Sequence, residues 1–411
     1  MLIEMPRRTE IFGSVKIHEL QRVLKLDSGG FENPLAKDIC FDDIKRILRR
    51  LAVVIPIKNE SIHLLDGVLR AIPFDCTTIV VSNSERDAHD IYKMERETAA
   101  NIHNLTQQEI LCVHQKDPEL GFAFYDAGYD HLLDRDGLVR DGKSEGMIAG
   151  MLLAKSLGCD FIGFADADNY VPGSVREYVM DYAAGFCMSE SPYSMVRLHW
   201  RYKPKVVEEK LYFKKWGRVS ETTNRYLNLL LSTCTGFETG VVITGNAGEH
   251  ALTTELADIM SYSTGYSVEP YHYVYLLDEF GLKAEDIVYP EAVSNGIEIF
   301  QIETLNPHIH EEKGEGHIKN MLLSSLSTIY HSKLCNDYVR SKVLEELKNI
   351  LDTWETLGEN VVMPPIGEID VNRFIKVLEG SSETFLRCEP REIGSEVVGK
   401  PYLKGETFQE V

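Results

Sequence analysis

Short apolar runs rich in β-branched residues alternate with helix-like stretches through the first half of this sequence. The clearest run, LAVVIPI at residues 51–57, is apolar on both of its faces. That pattern is typical of a central parallel strand that helices cover on both sides. Repeated alternation predicts a doubly wound, Rossmann-like α/β sheet. The predicted strands are residues 51–57, 76–82, 110–115 and 161–165, and the predicted helices between them are residues 62–71, 85–105 and 144–157.

Two aspartates, Asp166 and Asp168, follow the fourth predicted strand. Ligands of doubly wound sheets bind beyond the carboxyl ends of the strands, and both carboxylates can face one crevice there. Carboxylates suit Mg²⁺ or Mn²⁺ that bridges to phosphates. Such D-x-D triplets are often only solvated, but the position after a buried strand favours a cation site. His308 and His310 form a later polar pair, and an imidazole can complete an oxygen-rich metal site.

The charge is unevenly distributed. The whole chain carries −21, which disfavours both nucleic acid and an anionic membrane as partners. Residues 196–218 nevertheless hold eight Lys or Arg against two Glu. They form either a solvated basic face or a site that steers and binds an anionic substrate. Gly217, Arg218 and Ser220 offer backbone amides, a guanidinium and a hydroxyl ahead of a predicted helix, which suits phosphate or carboxylate.

Lys143 and Glu269 are two further candidates for contact with a ligand. Lys143 lies where a loop turns into a predicted helix and can reach a diphosphate, although the G-x-x-x-x-G-K-[ST] spacing of a P-loop is absent. Glu269 lies between Tyr266 and Tyr271, and a carboxylate beside aromatic rings is a common way to bind sugar hydroxyls. Glu269 also suits a helix start, and the two interpretations are compatible.

The eight cysteines are scattered and form no C-x-x-C pair, which indicates free thiols in a reducing compartment. The amino terminus lacks the apolar core of a signal peptide, and the apolar runs at residues 51–57 and 147–154 are too short to cross a bilayer. The sequence therefore predicts a soluble, cytoplasmic protein.

Several motifs together resemble those of the retaining GT-A glycosyltransferases that use 3-phosphoglycerate. Within that group the sequence is most similar to the mannosyl-3-phosphoglycerate synthase family. The resemblance spans nearly the whole chain and includes residues 5–29, which look like the start of this family in particular. The motifs that carry it are residues 56–60, the Asp166–Asp168 triplet, residues 217–221, residues 266–269 and His308.

The resemblance implies transfer of mannose from GDP-mannose to the 2-hydroxyl of 3-phosphoglycerate with retention of configuration. The product is the precursor of mannosylglycerate, a compatible solute. The implied cofactor is a divalent cation, Mg²⁺ first and Mn²⁺ second. The implied roles are nucleoside binding by Pro56, Glu60 and Ser82, ribose and diphosphate binding by Lys143 and Asp166, metal ligation by Asp168 and His308, mannose binding by Glu269, and acceptor binding by Gly217, Arg218 and Ser220, with Asp168, Lys143 and Glu269 as catalytic residues.

The same resemblance divides the chain into three regions. Residues 1–50 form a family-specific segment, residues 51–250 a GT-A nucleotide-sugar-binding region, and residues 251–411 a mixed α/β acceptor and sugar region with a helical carboxyl-terminal part. Helices are predicted over residues 318–334 and 338–351, and their apolar stripes suit either a homodimer or the core of the chain itself.

Other functions remain open on the residues alone. A glucosyl-3-phosphoglycerate synthase would share nearly every motif and differ in its donor and sugar pockets. A non-catalytic nucleotide-sugar-binding protein would have little reason to keep two metal carboxylates and a histidine. A nucleotidyltransferase is disfavoured, because no glycine-rich turn follows the first strand. For retention we favour a front-face displacement, because no pair of carboxylates has an assured place at the sugar.

Overall fold

Helices and strands alternate along most of the chain. The computed structural model describes residues 2–4, 6, 8–21, 36–87, 89–200, 204–207, 210–212, 218–281, 288–311, 314–350 and 357–390. The strands are β1 (Leu2–Glu4), β2 (Arg8–Phe12), β3 (Val15–Gln21), β4 (Ala36–Asp38), β5 (Leu51–Ile57), β6 (Thr77–Ser82), β7 (Ile110–His114), β8 (Phe161–Phe164), β9 (Tyr193–Trp200), β10 (Lys205–Val207), β11 (Lys210–Tyr212), β12 (His250–Thr253), β13 (Tyr262–Ser263), β14 (Ile297–Thr304), β15 (His310–Glu311), β16 (Val362–Met363) and β17 (Leu386–Cys388). The helices are α1 (Phe41–Leu48), α2 (Ile62–Ala71), α3 (Ile91–Thr106), α4 (Pro118–Asp126), α5 (Lys143–Ser156), α6 (Pro172–Met188), α7 (Arg218–Thr235), α8 (Thr254–Ile259), α9 (Val268–Phe280), α10 (Pro290–Asn295), α11 (Glu315–Tyr330), α12 (Asp337–Ile350) and α13 (Val371–Ser381).

Four parallel strands in the order β7, β6, β5 and β8 form the centre of the main sheet. All of β5 except Pro56 is buried, because helices cover both faces of this strand. The four strands predicted from apolar runs are confirmed to within one residue at each end. The doubly wound α/β class is likewise confirmed.

The main sheet continues on both sides of these parallel strands. Strand β12 lies antiparallel between β8 and β9, after which β14 and β3 follow in parallel and β2 forms the edge. Strand β17 pairs with β7 at the opposite edge. Strands from all three predicted regions thus share one sheet among the described residues, and the boundaries at residues 50 and 250 stay a prediction.

Helices pack on both faces of the sheet. Helices α1, α2, α3 and α6 contribute to the apolar core on one face, while α4, α5, α7, α9, α11 and α13 contribute to the core on the other. Helix α5 packs directly against β5. The two elements are so close that a Cβ atom at Gly150 would overlap the side chain of Val54. This close packing brings the start of α5 to the carboxyl end of the parallel strands.

Residues 240–244 (GVVIT) are rich in the β-branched residues typical of a strand, but they belong to none of the sheets of the described chain. The side-chain amides of Gln301 and Asn228 hydrogen-bond to the backbone of residues 241–243 at distances of 2.7–2.9 Å. These bonds satisfy the buried peptide groups without a neighbouring strand. The apolar run at residues 240–244 was therefore a correct sign of burial but not of sheet structure.

The apolar stripes of α11 and α12 are used inside this chain. Leu326 and Ile329 of α11 and Val339 and Val343 of α12 are completely buried in the core. The structure thus favours the second of the two uses predicted for these stripes, and a homodimer stays a prediction. Among the described residues, no helix is long and apolar enough to cross a membrane.

Candidate active site

A cleft of about 490 Å³ lies at the carboxyl ends of β5, β6 and β8, where ligands bind in doubly wound sheets. Most of the predicted site residues line it, although they come from distant parts of the chain. These are Pro56, Glu60, Lys143, Asp166, Asp168, Glu269 and His308. Residues without a role predicted from the sequence also line the cleft, among them Trp200, Asn246, Gly248, Glu249, His317 and Met321.

Lys143 lies between two carboxylates in the cleft. It is the first residue of α5, and its Nζ lies 2.7 Å from Asp166 Oδ1 and 3.2 Å from Glu269 Oε1. Burial alone would lower the pKa of this ammonium, but the two carboxylates outweigh that effect and raise the pKa above its usual value. Lys143 therefore remains charged and connects the end of β8 with the start of α9.

Asp168 and His308 are both buried at the cleft, with 5% and 6% of their surface exposed. The His308 Nδ1 atom lies 3.4 Å from Glu249 Oε1, and the His308 ring lies against Trp200 with the ring centroids 4.8 Å apart. These contacts hold the imidazole in place, although Asp168 and His308 are separated by more than a hundred residues of sequence.

This donor set fits a particular kind of metal site. Within the described residues, no three His, Cys, Asp or Glu side chains are grouped as metal ligands. A carboxylate and an imidazole suit a divalent cation that takes its other ligands from phosphate oxygens and water. The two side chains thus fit a divalent cation at the cleft.

The predicted nucleoside-binding residues lie on neighbouring strands. Pro56 and Glu60 line the cleft at the end of β5, but Ser82 at the end of β6 does not. The Ser82 side chain is completely buried, and its Oγ accepts a hydrogen bond of 3.1 Å from Ser84 N. Side chains alternate along a strand, so Asn83 lines the cleft in place of Ser82. This is a correction to the predicted site.

The position of Glu269 is compatible with both interpretations of its sequence context, although sugar binding stays a prediction. It lies in the first turn of α9 and also faces the cleft. Tyr266 lines the cleft as well, and its ring packs edge-on against His317 with the centroids 4.7 Å apart. Tyr271 does not accompany them, because its hydroxyl lies 2.9 Å from Ser261 Oγ. The predicted pair of tyrosines is thus reduced to one.

The predicted acceptor motif lies at the start of α7. Gly217 is outside the described residues, Arg218 is the first residue of the helix, and Ser220 is half-buried in its first turn. Two turns into α7, Asn224 Oδ1 accepts a hydrogen bond of 2.7 Å from Gly245 N. This bond connects α7 to the loop that carries Asn246 into the cleft. The acceptor role of these three residues stays a prediction.

The loop formed by residues 244–248, here called the 244–248 loop, is the main feature that sequence reasoning missed. A Cβ atom at Gly248 would lie 2.8 Å from Asp166 Oδ2 and 2.9 Å from Lys143 Nζ. Only glycine lets the backbone approach the two charged groups this closely. The sequence did contain a signal, since Gly245 and Gly248 lie three residues apart just before an apolar strand, and such glycines often mark close backbone contacts.

Solved structures that align with this chain include those of glucosyl-3-phosphoglycerate synthase from Mycobacterium tuberculosis. Its complex with Mn²⁺, UDP-glucose and glycerol 3-phosphate aligns with a TM-score of 0.49 and 17% identity, covering 75% of this chain and 88% of that chain. Its complex with Mg²⁺ and UDP aligns with a TM-score of 0.47 and 19% identity, covering 72% of this chain and 84% of that one.

Sequence comparison gives a more specific result. A protein named mannosyl-3-phosphoglycerate synthase from Pyrococcus furiosus is 52% identical over 391 residues, which is 94% of this chain and 99% of that protein. A protein of the same name from Aeropyrum pernix is 39% identical over 353 residues, which is 85% of this chain and 90% of that protein. The family model described as mannosyl-3-phosphoglycerate synthase (osmo_MPGsynth) matches residues 5–378. The chain therefore belongs to the mannosyl-3-phosphoglycerate synthase family.

Proposed function

We propose that this enzyme transfers mannose from GDP-mannose to the 2-hydroxyl of 3-phosphoglycerate with retention, which yields mannosyl-3-phosphoglycerate. The observation that carries the proposal is the position of Lys143 between Asp166 and Glu269 in a cleft that also contains Asp168 and His308. In this arrangement the Lys143 ammonium is held among groups suited to a diphosphate, a metal ion and sugar hydroxyls. The family names of the relatives agree with that chemistry.

Asp168 and His308 would hold the divalent cation, with Mg²⁺ as the first choice and Mn²⁺ as the second. When bound, the ion supplies electrostatic stabilisation of the negative charge that develops on the departing nucleoside diphosphate. Glu249, which lies 3.4 Å from His308 Nδ1, would hold the orientation of that ring. An oriented imidazole binds metal better, because its lone pair is already directed into the site.

Lys143 would also stabilise the leaving diphosphate. Its ammonium is positioned before the substrate binds, so little reorganisation is needed as charge develops. Pro56, Glu60 and Asn83 would line the nucleoside end of the cleft, and Asp166 would contact the ribose and diphosphate region. The donor would thus lie across the carboxyl ends of the parallel strands.

Glu269 would hold the mannose through its hydroxyls. Because Glu269 Oε1 is already paired with Lys143 at 3.2 Å, the carboxylate is less suited to covalent attack on the anomeric carbon than to hydrogen bonding. We therefore infer a front-face displacement in which the leaving phosphate helps to remove the proton from the acceptor hydroxyl. Gly217, Arg218 and Ser220 would bind the phosphate of the acceptor.

The enzyme would act in the cytoplasm, because its eight cysteines are all free thiols, as is usual in a reducing compartment. The proposed function is tested by product analysis. The purified protein is incubated with 3-phosphoglycerate, Mg²⁺ and either GDP-mannose or UDP-glucose, and the products are identified by NMR. An α-linked mannoside formed only with GDP-mannose, and lost when EDTA removes the cation, supports the proposal. If the enzyme formed a glucoside from UDP-glucose in preference to a mannoside from GDP-mannose, it would be assigned to glucosyl transfer instead.

A further inference from the structure

Arg197, near the middle of β9, is a completely buried cation. Among the described residues its guanidinium contacts only uncharged partners. Nε and Nη2 donate to the carbonyl oxygen of Thr244 at 3.1 and 2.8 Å, and Nη1 lies 3.2 Å from His272 Nδ1. Burial lowers the pKa of the guanidinium, since charge is less stable away from water. A buried charge of this kind is costly, so simple packing does not explain it.

The same guanidinium reaches two backbone segments that border the cleft. Nη2 lies 3.4 Å from the carbonyl oxygen of Gly245 and 3.1 Å from that of Glu269. The first contact is with the 244–248 loop and the second is with the first turn of α9. Lys143 lies between these segments, because it pairs with the Glu269 carboxylate and closely approaches Gly248.

A histidine on the neighbouring strand holds the far end of the loop. His250 of β12 pairs directly opposite Arg197 in the strand register. Its Nδ1 lies 3.1 Å from the carbonyl oxygen of Ala247 and 3.0 Å from that of Gly248. Two buried side chains therefore hold the 244–248 loop from beneath, one near each end.

We propose that Arg197 is a positioning residue for the transfer reaction. Its planar guanidinium sets the distance between the 244–248 loop and the first turn of α9, and thereby fixes Lys143 between Asp166 and Glu269. Lysine could not replace it, because one ammonium nitrogen cannot occupy both the Nη2 position beside these carbonyl oxygens and the Nη1 position beside His272 Nδ1. The inference rests on the proposed function, since it assigns a residue that serves the same site without touching the substrate.

The test starts with Arg197→Lys in the full-length enzyme, compared with Arg373→Lys. Arg373 is an exposed arginine of α13 that pairs with Asp126 at 2.8 Å. Arg373→Lys therefore controls for the replacement of an arginine by a lysine away from the cleft. We expect Arg197→Lys to lower kcat by roughly 10- to 100-fold, since small misplacements of reacting groups are costly. The dissociation constant of GDP, measured by calorimetry, should change by less than about 3-fold, a smaller factor than the fall in kcat. Thermal unfolding checks that both variants are folded.

A double-mutant cycle separates positioning from general structural damage. If Arg197 acts through Glu269, the loss caused by Arg197→Lys should largely disappear in a Glu269→Gln background, because the group it positions is already impaired. Losses that simply add, or a folded Arg197→Lys enzyme with wild-type kcat, would overturn the proposal. Wild-type enzyme that fails to form the mannoside would instead refute the proposed function.

A second variant tests the loop if Arg197→Lys does not fold. Gly248→Ala leaves Arg197 untouched but adds a methyl group 2.8 Å from Asp166 Oδ2 and 2.9 Å from Lys143 Nζ. We expect it to lower kcat in the same range and to weaken GDP binding by a smaller factor. A wild-type kcat for Gly248→Ala would show that the position of the loop beside Lys143 is not important, and would equally overturn the proposal.

Discussion

The two walls of the cleft are built in different ways. One wall, here called the strand wall, consists of residues at the ends of parallel strands, such as Pro56, Glu60 and Asp168, and its shape follows directly from the sheet. The opposite wall, here called the supported wall, consists of the 244–248 loop and the first turn of α9, which the buried Arg197 and His250 hold from beneath. Lys143 joins the two walls through its ion pairs with Asp166 and Glu269.

The difference shows where the site is tolerant of change and where it is not. The strand wall has the rigidity of the hydrogen-bonded sheet, so removing one of its side chains should remove only the function of that side chain. The supported wall depends on a few buried polar groups, so their removal should displace several groups together.

Asp168→Ala tests the strand wall. Loss of the proposed metal ligand should reduce transfer by about 10²-fold or more, because a principal electrostatic stabiliser of the leaving group is lost. The fold should remain intact. Activity and Mg²⁺-dependent GDP binding are measured together. Asp160→Ala is the matched control, since Asp160 precedes β8 whereas Asp168 follows it, and Asp160 forms an exposed ion pair with Arg50. Near-normal turnover by Asp168→Ala would remove Asp168 from the metal site.

His308→Ala should have a milder effect than Asp168→Ala, because the cation can replace one neutral ligand with water. Its diagnostic result is a change in the preferred metal, measured as the ratio of activities with Mg²⁺ and Mn²⁺. An unchanged ratio would count against ligation by His308.

Lys143→Met tests the junction between the two walls. We expect kcat to fall about 10²-fold, since a preorganised cation at the leaving group is lost and two carboxylates are left without their partner. Lys155→Met, on the last turn of the same helix, is the control, because Lys155 pairs with Asp258 at 2.6 Å outside the cleft. Lys155→Met should lower stability while kcat stays normal. Equal kcat losses in the two variants would indicate damage to α5 instead of a role in catalysis.

Arg218→Ala tests the acceptor motif, which was predicted from the sequence. We expect the KM for 3-phosphoglycerate to rise roughly 10- to 150-fold, the equivalent of losing a hydrogen bond to a charged group at about 1.5 to 3 kcal/mol. The KM for GDP-mannose should change little. Lysine at this position should restore only part of the affinity, because it lacks the guanidinium fork. If both KM values rose together, Arg218 would belong to a diffuse electrostatic patch.

Acid sensitivity tests the supported wall. Burial, together with His250 and Arg197, lowers the pKa of His272 well below its usual value, so this imidazole is neutral in the folded protein. The unfolded chain takes up a proton below about pH 6.5, so stability is complete above that pH and declines as the pH falls. When the pH falls from 7.5 to 5.5, one such histidine lowers the free energy of unfolding by about 1.4 kcal/mol.

His272→Gln should therefore remove about 1.4 kcal/mol of this pH dependence, measured by denaturant unfolding at the two pH values. Leu65→Ala is the control, since Leu65 is completely buried on α2 and carries no titratable group. Leu65→Ala should lower stability equally at both pH values. An identical pH dependence in wild type and His272→Gln would mean that folding does not lower the pKa of His272.

The sequence by itself determined the four parallel strands of the sheet and part of the strand wall. Apolar runs are local signals, and a polar residue directly after a run must lie at the carboxyl end of its strand, so Asp166 and Asp168 could be assigned from neighbours alone. Lys143, Glu269 and His308 were candidates from their neighbouring residues, but their specific roles were implied by resemblance to a family. Their presence in one cleft agrees with that assignment, but no local pattern brings them together.

Only the tertiary structure decided the supported wall. Arg197 looked like one positive charge of a basic segment, yet the pairing of β9 with β12 and β14 places it completely inside the protein. Most of its partners are backbone carbonyl oxygens, those of Thr244, Gly245 and Glu269, which carry no side-chain identity that a sequence could display. Backbone contacts between distant segments depend on strand register and helix packing, and these are set by the whole core at once and not by any local stretch of residues.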